Sequence, residues 1–426
     1  MNPYLQYMYS YPHKTAYGPL TGVSLEKYAD RLSDGETSLY FHIPFCETKC
    51  GYCNLFSVAG ADDSVMRRYV DAMERQAAQW SELLPAELSF ADLTLGGGTP
   101  LFLPEQELER VFRIASERLG FDASVRRTAV ETSPAQTTED KLHLLREYHV
   151  TRISIGVQSF CDRELQAIYR NHSADQAERA LTAIRKVGFP CVNVDLIYGI
   201  PGQTVDSLRD SVERALLYEP EELFVYPLYI KPGTYLSVKG VRRPEETYDM
   251  YVWLREHLRE RGYRPYSMRR FVKKNRDAQI AGCGFENTIS IGCGGRSYIG
   301  NLHFCTPYSV RPARCRELLE QYMSRADYTE ISHGYILSEE EQKRRYVIKN
   351  MLFACGLCGR EYEEAFSSDV REDFPILREW VQAGYAVSQD GKWMLTDKGF
   401  TLSDYIGPML ISDEVRERMS SGGGRM

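Results

Sequence analysis

Cys46, Cys50 and Cys53 stand at spacings x3 and x2 directly after an apolar run, 38–45 SLYFHIPF. A loop that closes a strand would bring the three thiols toward one point, and three thiolates suit a cubane iron–sulfur cluster that keeps one iron open for an exchangeable ligand. A structural zinc site asks for four protein ligands. Here Asn54 and Leu55 follow the third cysteine, so no fourth Cys or His comes at short spacing. The incomplete ligand set favours the cluster.

The other cysteines carry no comparable pattern. Eleven is an odd number, and the first residues, MNPYLQYMYSYPHK, lack the basic-then-apolar order of a secretory signal, so an extracellular disulfide framework is a poor explanation. Cys283, Cys293, Cys305 and Cys315 and the pair Cys355-x2-Cys358 form no second tight trio, and they read as thiols packed like small hydrophobes.

Elements must position the trio. Six apolar or alternating runs, at 38–45, 92–98, 129–134, 152–158, 192–199 and 223–230, predict strands. Amphipathic stretches, Met66–Leu84, Glu105–Leu119, Glu139–Tyr148, Ala174–Val187 and Val205–Tyr218, fill the intervals. Strand and helix in alternation, joined by right-handed crossovers, predict an α/β fold whose parallel sheet curls into a partial barrel, with chemistry at the C-terminal ends of the strands.

The rest of the chain divides around that barrel (38–230). Residues 1–37 read as an N-terminal arm, in which Tyr9-Ser10-Tyr11-Pro12-His13-Lys14 suits a segment packed on the barrel or a lid over the site. Residues 231–337 are richer in Gly, Pro and Cys, with 281–300 as Gly-rich loops around one short strand, and read as a barrel extension and cap. The order helix, helix, strand, turn and helix over 338–411 predicts a small winged-helix-like α+β module, and 412–426 reads as a flexible tail.

Composition narrows the function classes. With 43% hydrophobic and 26% charged residues, a folded core is expected rather than disorder. Lys and Arg number 52 against 59 Asp and Glu, a net charge of −7, which argues against nucleic acid as a main partner. The run Glu361, Glu363, Glu364, Asp369, Glu372, Asp373 weighs against that use of the C-terminal module. No apolar run approaches the roughly 18 to 20 residues of a membrane span, so a soluble cytoplasmic protein is expected.

The stretches YFHIPFCETKCGYCN, LTLGGGTPLFL, VETSP, RISIGVQSF, YRNH and VDLIYGIPGQT, in this order over about 38–204, resemble the radical S-adenosylmethionine (SAM) enzymes, and among them the oxygen-independent coproporphyrinogen oxidase branch. Weaker similarity continues through GYRPYSMRRFV, ISIGCGGRSYIGN, KRRYVIKNML and LTDKGF.

The resemblance implies a partial (β/α)6 radical SAM barrel followed by the branch's C-terminal module. It implies that Cys46, Cys50 and Cys53 hold a [4Fe-4S] cluster shielded by Tyr52, and that the amino and carboxylate groups of SAM chelate the open iron. Backbone groups of Gly96, Gly97, Gly98 and Thr99 would meet the amino-acid part of SAM. Glu131, Gln158, Arg170 and Asp195 match polar contacts to SAM, with Arg170 suited to the carboxylate and Asp195 to the ribose. Taken alone, GGGTP reads as a turn, and Glu131, Gln158 and Asp195 read equally as helix caps.

Tyr40 and His42 alternate with Phe41 and so share one face of the first strand. By resemblance that face looks into the reaction chamber, near a second SAM or the substrate, and makes both residues catalytic candidates. On chemistry alone His42 suits a satisfied core histidine as well.

The activity so implied is reductive cleavage of SAM to a 5′-deoxyadenosyl radical, with one or two SAM molecules bound, fed by an external one-electron donor such as flavodoxin or ferredoxin. The radical would act on a small-molecule or peptide substrate. Oxidative decarboxylation of porphyrinogen propionates, two-SAM methyl transfer and modification of a tetrapyrrole all belong to the branch. Leu55 stands where true coproporphyrinogen oxidases have a fourth cysteine. Relatives that traffic heme carry a His-Asn-x-x-Tyr-Trp signature, and 273–288 reads KKNRDAQIAGCGFENT instead. A protein whose C-terminal module docks a peptide or carrier is the third class.

Overall fold

Alternation along SLYFHIPF governs the first barrel strand. In β1 (Thr37–Ile43), Leu39, Phe41 and Ile43 are fully buried in the main core, while Tyr40 and His42 border the barrel's internal cavity. The computed structural model describes residues 2–8, 10–275 and 286–422.

Five more parallel strands follow: β2 (Phe90–Gly97), β3 (Arg127–Thr132), β4 (Arg152–Gln158), β5 (Cys191–Tyr198) and β6 (Glu222–Pro227). Each pairs with the next, with Tyr40 beside Thr94, Glu131 beside Ser154 and Gly156 beside Asp195. The crossovers carry helices α1 (Asp63–Ser81), α2 (Glu105–Arg113), α3 (Glu139–Glu147), α4 (Ala174–Val187) and α5 (Val205–Leu216). Helix α4 shows why such segments start and stop where they do. Ser173 and Gln176 form a capping box at its start, and Gly188 ends it at φ +80°.

Residues 231–337 extend the sheet at both edges. After α6 (Thr247–Glu260), β7 (Tyr263–Pro265) and β8 (Arg270–Lys273) form a hairpin whose second strand pairs antiparallel with β6. At the opposite edge β9 (Asn287–Ile291) runs parallel to β1, and β10 (Arg296–Ile299), β11 (Leu302–Cys305) and β12 (His333–Ile336) follow antiparallel. The expected single strand within 281–300 is therefore two. Ile289 and Ile291 alternate into the core, and the turn at Gly292–Gly295 folds the chain back.

The N-terminal segment packs on the C-terminal module. Met8, Tyr11, Ala16 and Tyr17 join Ile348, Leu357, Trp380 and Ile406 in a second core, that of the C-terminal module. Tyr11 donates to Glu341, and the Ser412 hydroxyl donates to the same carboxylate at 2.6 Å. The module holds helices at Glu339–Met351, Gly359–Phe366 and Ile376–Gln382 and a hairpin, Ala386–Gln389 with Lys392–Leu395.

The tail expected over 412–426 forms a helix, Asp413–Gly422. Ser412 caps it through the Val415 amide at 3.2 Å, and fully buried Val415 anchors it in the module core, a contact the polar local sequence does not announce. Tyr9 and Cys283 lie outside the described residues. Among the described residues no helix is long and apolar enough to cross a membrane.

Candidate functional site

The loop after β1 is pinned at its base and at its tip. Phe45–Cys46 pairs in parallel with Val58–Ala59, the Val58 amide donates to Pro44 at 2.7 Å, and the Gly60 amide donates to Cys46 at 3.1 Å. At the tip the Gly51 amide donates to Ile168 at 3.0 Å, and Gly51 accepts from the Leu236 amide at 2.9 Å. Between these anchors Cys46, Cys50 and Cys53 face the cavity, free and partly buried. Tyr52 packs into a satellite core with Ile168, Ile197, Ile200, Leu228 and Leu236, beside the cysteines.

Burial pushes the Cys46 thiol up to about 12, and Cys53 and Cys50 add to the rise, because neighbouring thiolates repel. Among the described residues no three His, Cys, Asp or Glu side chains stand close enough to hold a single metal ion. The trio instead fits a cubane, in which each thiolate binds a different iron and the cationic irons offset the repulsion.

The glycine row closes on the protein itself. A Cβ on Gly96 would lie 2.9 Å from the Glu131 carboxylate and 3.0 Å from the Tyr40 hydroxyl. One on Gly97, at φ +117°, would lie 2.6 Å from the His42 ring, and one on Gly98 2.6 Å from the Phe45 carbonyl. The amides of Gly97, Gly98 and Thr99 donate to Glu131, Ile43 and Phe45. What this segment can offer a ligand is therefore carbonyl oxygen, which suits an ammonium group. The Thr99 hydroxyl reaches the Cys46 sulfur at 3.8 Å.

Glu131, on β3, lies deep in the barrel yet opens on the cavity, and among the described residues it accepts only from the Gly97 amide, at 3.1 Å. Desolvation raises its pKa. Asp195 sits within β5 rather than at its end; burial raises it to about 7, Asn193 opposes this with a hydrogen bond at 2.7 Å, and the charge of Glu131 adds to the rise. Two carboxyls that disfavour each other's charge on one cavity wall suit a cationic ligand. Gln158 ends β4 at φ +71°, where a bulge turns its amide to the cavity.

Arg170 is brought to the same place but is already engaged. It donates to the Cys50 sulfur at 3.2 Å and to the Gly156 carbonyl of the bulge, so it braces the cluster loop as much as it faces a ligand.

His42 Nε2 faces the Phe56 carbonyl at 3.1 Å and must carry the proton, which leaves Nδ1 to accept from the Tyr40 hydroxyl at 3.2 Å. Burial lowers the ring to about 4, so it is neutral at pH 7 and positions Tyr40.

All the site residues predicted from the sequence except Gly96 border one cavity of about 960 Å³. Several lining residues escaped sequence reasoning. Asn193 is two residues from Asp195 on the same strand face and was within reach of the alternation argument. Lys14 and Lys231, and the buried pair Arg269 and Asp404, meet there only through the tertiary fold.

Residues 40–215 match the Radical SAM superfamily. The heme chaperone HemW of Bacillus subtilis is 25% identical over 378 residues, which are 87% of this chain and 97% of that protein. The oxygen-independent coproporphyrinogen III oxidase of Escherichia coli is 24% identical over 427 residues, 92% of this chain and 91% of the other. The solved structure of coproporphyrinogen III oxidase from Escherichia coli, described as a radical SAM enzyme, superimposes at a TM-score of 0.80 with 21% identity, over 99% of this chain and 98% of that one.

Proposed function

We propose that this chain, which belongs to the radical SAM superfamily in its coproporphyrinogen oxidase-like branch, is an enzyme that cleaves SAM reductively and acts on an anionic organic substrate. The observation that carries this reading is the convergence on one cavity of the cysteine trio with Glu131, Gln158 and Asp195, polar groups without an ion pair among the described residues.

Membership implies a [4Fe-4S] cluster and SAM. When bound, they supply a one-electron cleavage of the sulfur–C5′ bond and the radical that follows. The chain's residues do the rest. Cys46, Cys50 and Cys53 would hold the cluster, while Arg170 steadies Cys50 and Tyr52 shields the loop. Carbonyls of the glycine row and the Glu131 carboxylate would accept from the SAM ammonium, and Asp195 from the ribose hydroxyls. Gln158 contributes an amide to the same wall, and neutral His42 aims the Tyr40 hydroxyl at whatever lies beyond. Lys14, Lys231 and Arg296 line the cavity and suit a substrate that carries carboxylates.

The test is anaerobic reconstitution with iron and sulfide, then SAM and dithionite, with mass spectrometry of the products. 5′-Deoxyadenosine is expected, and added S-adenosylhomocysteine would favour methyl transfer over oxidation. A second reading, a heme carrier with little turnover, draws on the full-length likeness to proteins named heme chaperones. Stoichiometric heme retention with an intact cluster and no SAM cleavage would put it first.

A further inference from the structure

Each of the three cysteine sulfurs has a side-chain donor of its own, and the donors come from three parts of the fold. Arg170, just after the helix Asp162–Ala167, donates through Nη1 to Cys50 Sγ at 3.2 Å. Thr99, just after β2, sends its hydroxyl to Cys46 Sγ at 3.8 Å, and Ser57, at the base of the cluster loop, holds its hydroxyl oxygen 4.0 Å from Cys53 Sγ. A thiolate carries no proton, so toward an ionised Cys53 the Ser57 hydroxyl can only donate. The three are unequal. Thr99 and Ser57 are neutral and lie far from their sulfurs, whereas Arg170 is cationic and close, and a charged donor makes a hydrogen bond roughly twice as strong as a neutral one.

The fold fixes Arg170 between the barrel and the loop. Its amide donates to the Leu165 carbonyl at 2.9 Å, its Nη2 donates to the Gly156 carbonyl in the bulge of β4, and two residues earlier Ile168 accepts from the Gly51 amide at 3.0 Å. Among the described residues Arg170 forms no ion pair with a carboxylate. Glu47, inside the loop, accepts instead from Gln136 at 3.1 Å and Asn171 at 2.7 Å. Two lysines beside the loop are turned to carbonyl oxygen, Lys49 to Val310 at 3.1 Å and Lys14 to Asn54 at 3.4 Å. The positive charge that reaches a cysteine sulfur by hydrogen bond is therefore that of Arg170.

Reduction adds one negative charge to a cluster and its thiolates. Hydrogen bonds and positive charge at the sulfurs stabilise that form and so raise the reduction potential. We propose that Arg170 sets the reduction potential of the cluster through Cys50, with Thr99 and Ser57 adding smaller shares at the other two sulfurs. The inference rests on the reading of the trio as a cluster site, and it gives Arg170 a role separate from any contact with the SAM carboxylate. A cluster with this donor accepts an electron from a milder reductant than the same cluster without it.

The test is an anaerobic potentiometric titration of the full reconstituted chain with SAM omitted. One electron passes from dithionite through mediator dyes to the cluster, no bond to the chain forms or breaks, and electron paramagnetic resonance counts the reduced form. Arg170→Gln, which keeps a neutral donor, is expected to shift the reduction equilibrium at least about tenfold toward the oxidised form, a fall of about 59 mV for one electron. Arg170→Lys, which keeps the charge without the planar fork, should recover part of that shift, and Thr99→Val and Ser57→Ala should each lower the midpoint by less. An Arg170→Gln midpoint equal to that of the parent, at equal cluster content, would overturn the proposal. So would a larger shift in Thr99→Val or Ser57→Ala, or loss of the cluster from both Arg170 variants, which would make the residue a brace of the loop and nothing more. If Arg170→Gln alone loses the cluster, Arg170→Lys decides, and a midpoint there equal to that of the parent rejects the role. A parent chain that takes up no cluster would overturn the cluster reading itself, and the inference with it.

Discussion

Two walls of one cavity hold their charges in opposite ways. Toward the cluster loop, and among the described residues, Glu131 accepts a single amide hydrogen bond, Gln158 points its amide inward from a left-handed backbone, and Asp195 accepts only from Asn193. On the far wall the charges are spent on each other. Arg152 and Arg270 both bind Glu222, and Arg269 pairs with Asp404 at 6% and 1% side-chain exposure. A polar group with capacity to spare inside a protein marks a place for a ligand, whereas one whose partners are internal marks a joint between elements. The Arg269–Asp404 pair is such a joint, since it ties the strand β8 to the C-terminal module.

The largest effect belongs to the ligand wall. Cys46→Ala, Cys50→Ala or Cys53→Ala should each abolish the absorbance near about 400 nm of the reconstituted cluster, because an iron loses its thiolate. Full cluster retention in any one of them would remove that residue from the ligand set.

The joint should answer in stability instead. Asp404→Ala leaves Arg269 buried without its counterion, which costs about 3 to 5 kcal/mol. Urea unfolding measures it, and a midpoint equal to that of the parent chain would erase the distinction between the two walls.

Glu131→Ala should leave folding and cluster content intact yet weaken SAM binding by about 1.5 to 3 kcal/mol, the loss of a charged hydrogen bond. Calorimetry with the reconstituted protein decides it, and an unaltered affinity would move Glu131 to the structural side.

The smallest effect sharpens the contrast through pH. Asp195 is raised to about 7 by burial, well above its value of about 3.8 in an unfolded chain. Between those values the native state keeps a proton that the unfolded state has released, so its contribution to stability declines as pH rises from about 4 to about 7 and is flat outside that window. Asp195→Asn should remove this slope, read from urea titrations across that range. A slope that persists in the variant would assign it to another group.

The six strands and five crossover helices of the barrel were legible because each is short-range. Period-2 runs such as RISIGVQ put a fully buried apolar residue, Ile153, Ile155 and Val157, at every second position, and capping pairs such as Ser173 with Gln176 write helix starts into four consecutive residues. How residues 231–337 extend the sheet was hidden for the opposite reason. Which edge of a sheet a strand such as β9 joins depends on β1, some 250 residues away, and a run like NTISI carries no mark of its partner. The helix at Asp413–Gly422 was hidden likewise, because its polar sequence is held by one buried valine and by a core assembled partly from Met8 and Tyr11.

In the site, residue type and spacing picked out the cysteine trio, since thiolates act through local geometry, whereas the glycine row and Glu131, Gln158, Arg170 and Asp195 came from the family resemblance. The tertiary structure decided what each does there. It spent the glycine amides on the protein, closed Tyr40 and His42 into a pair, turned Arg170 onto Cys50, and divided the cavity into a wall with open polar groups and a wall of closed ion pairs. Hydrogen bonds and ion pairs are satisfied by whatever the fold brings within about 3 Å, and separation along the chain says nothing about that distance.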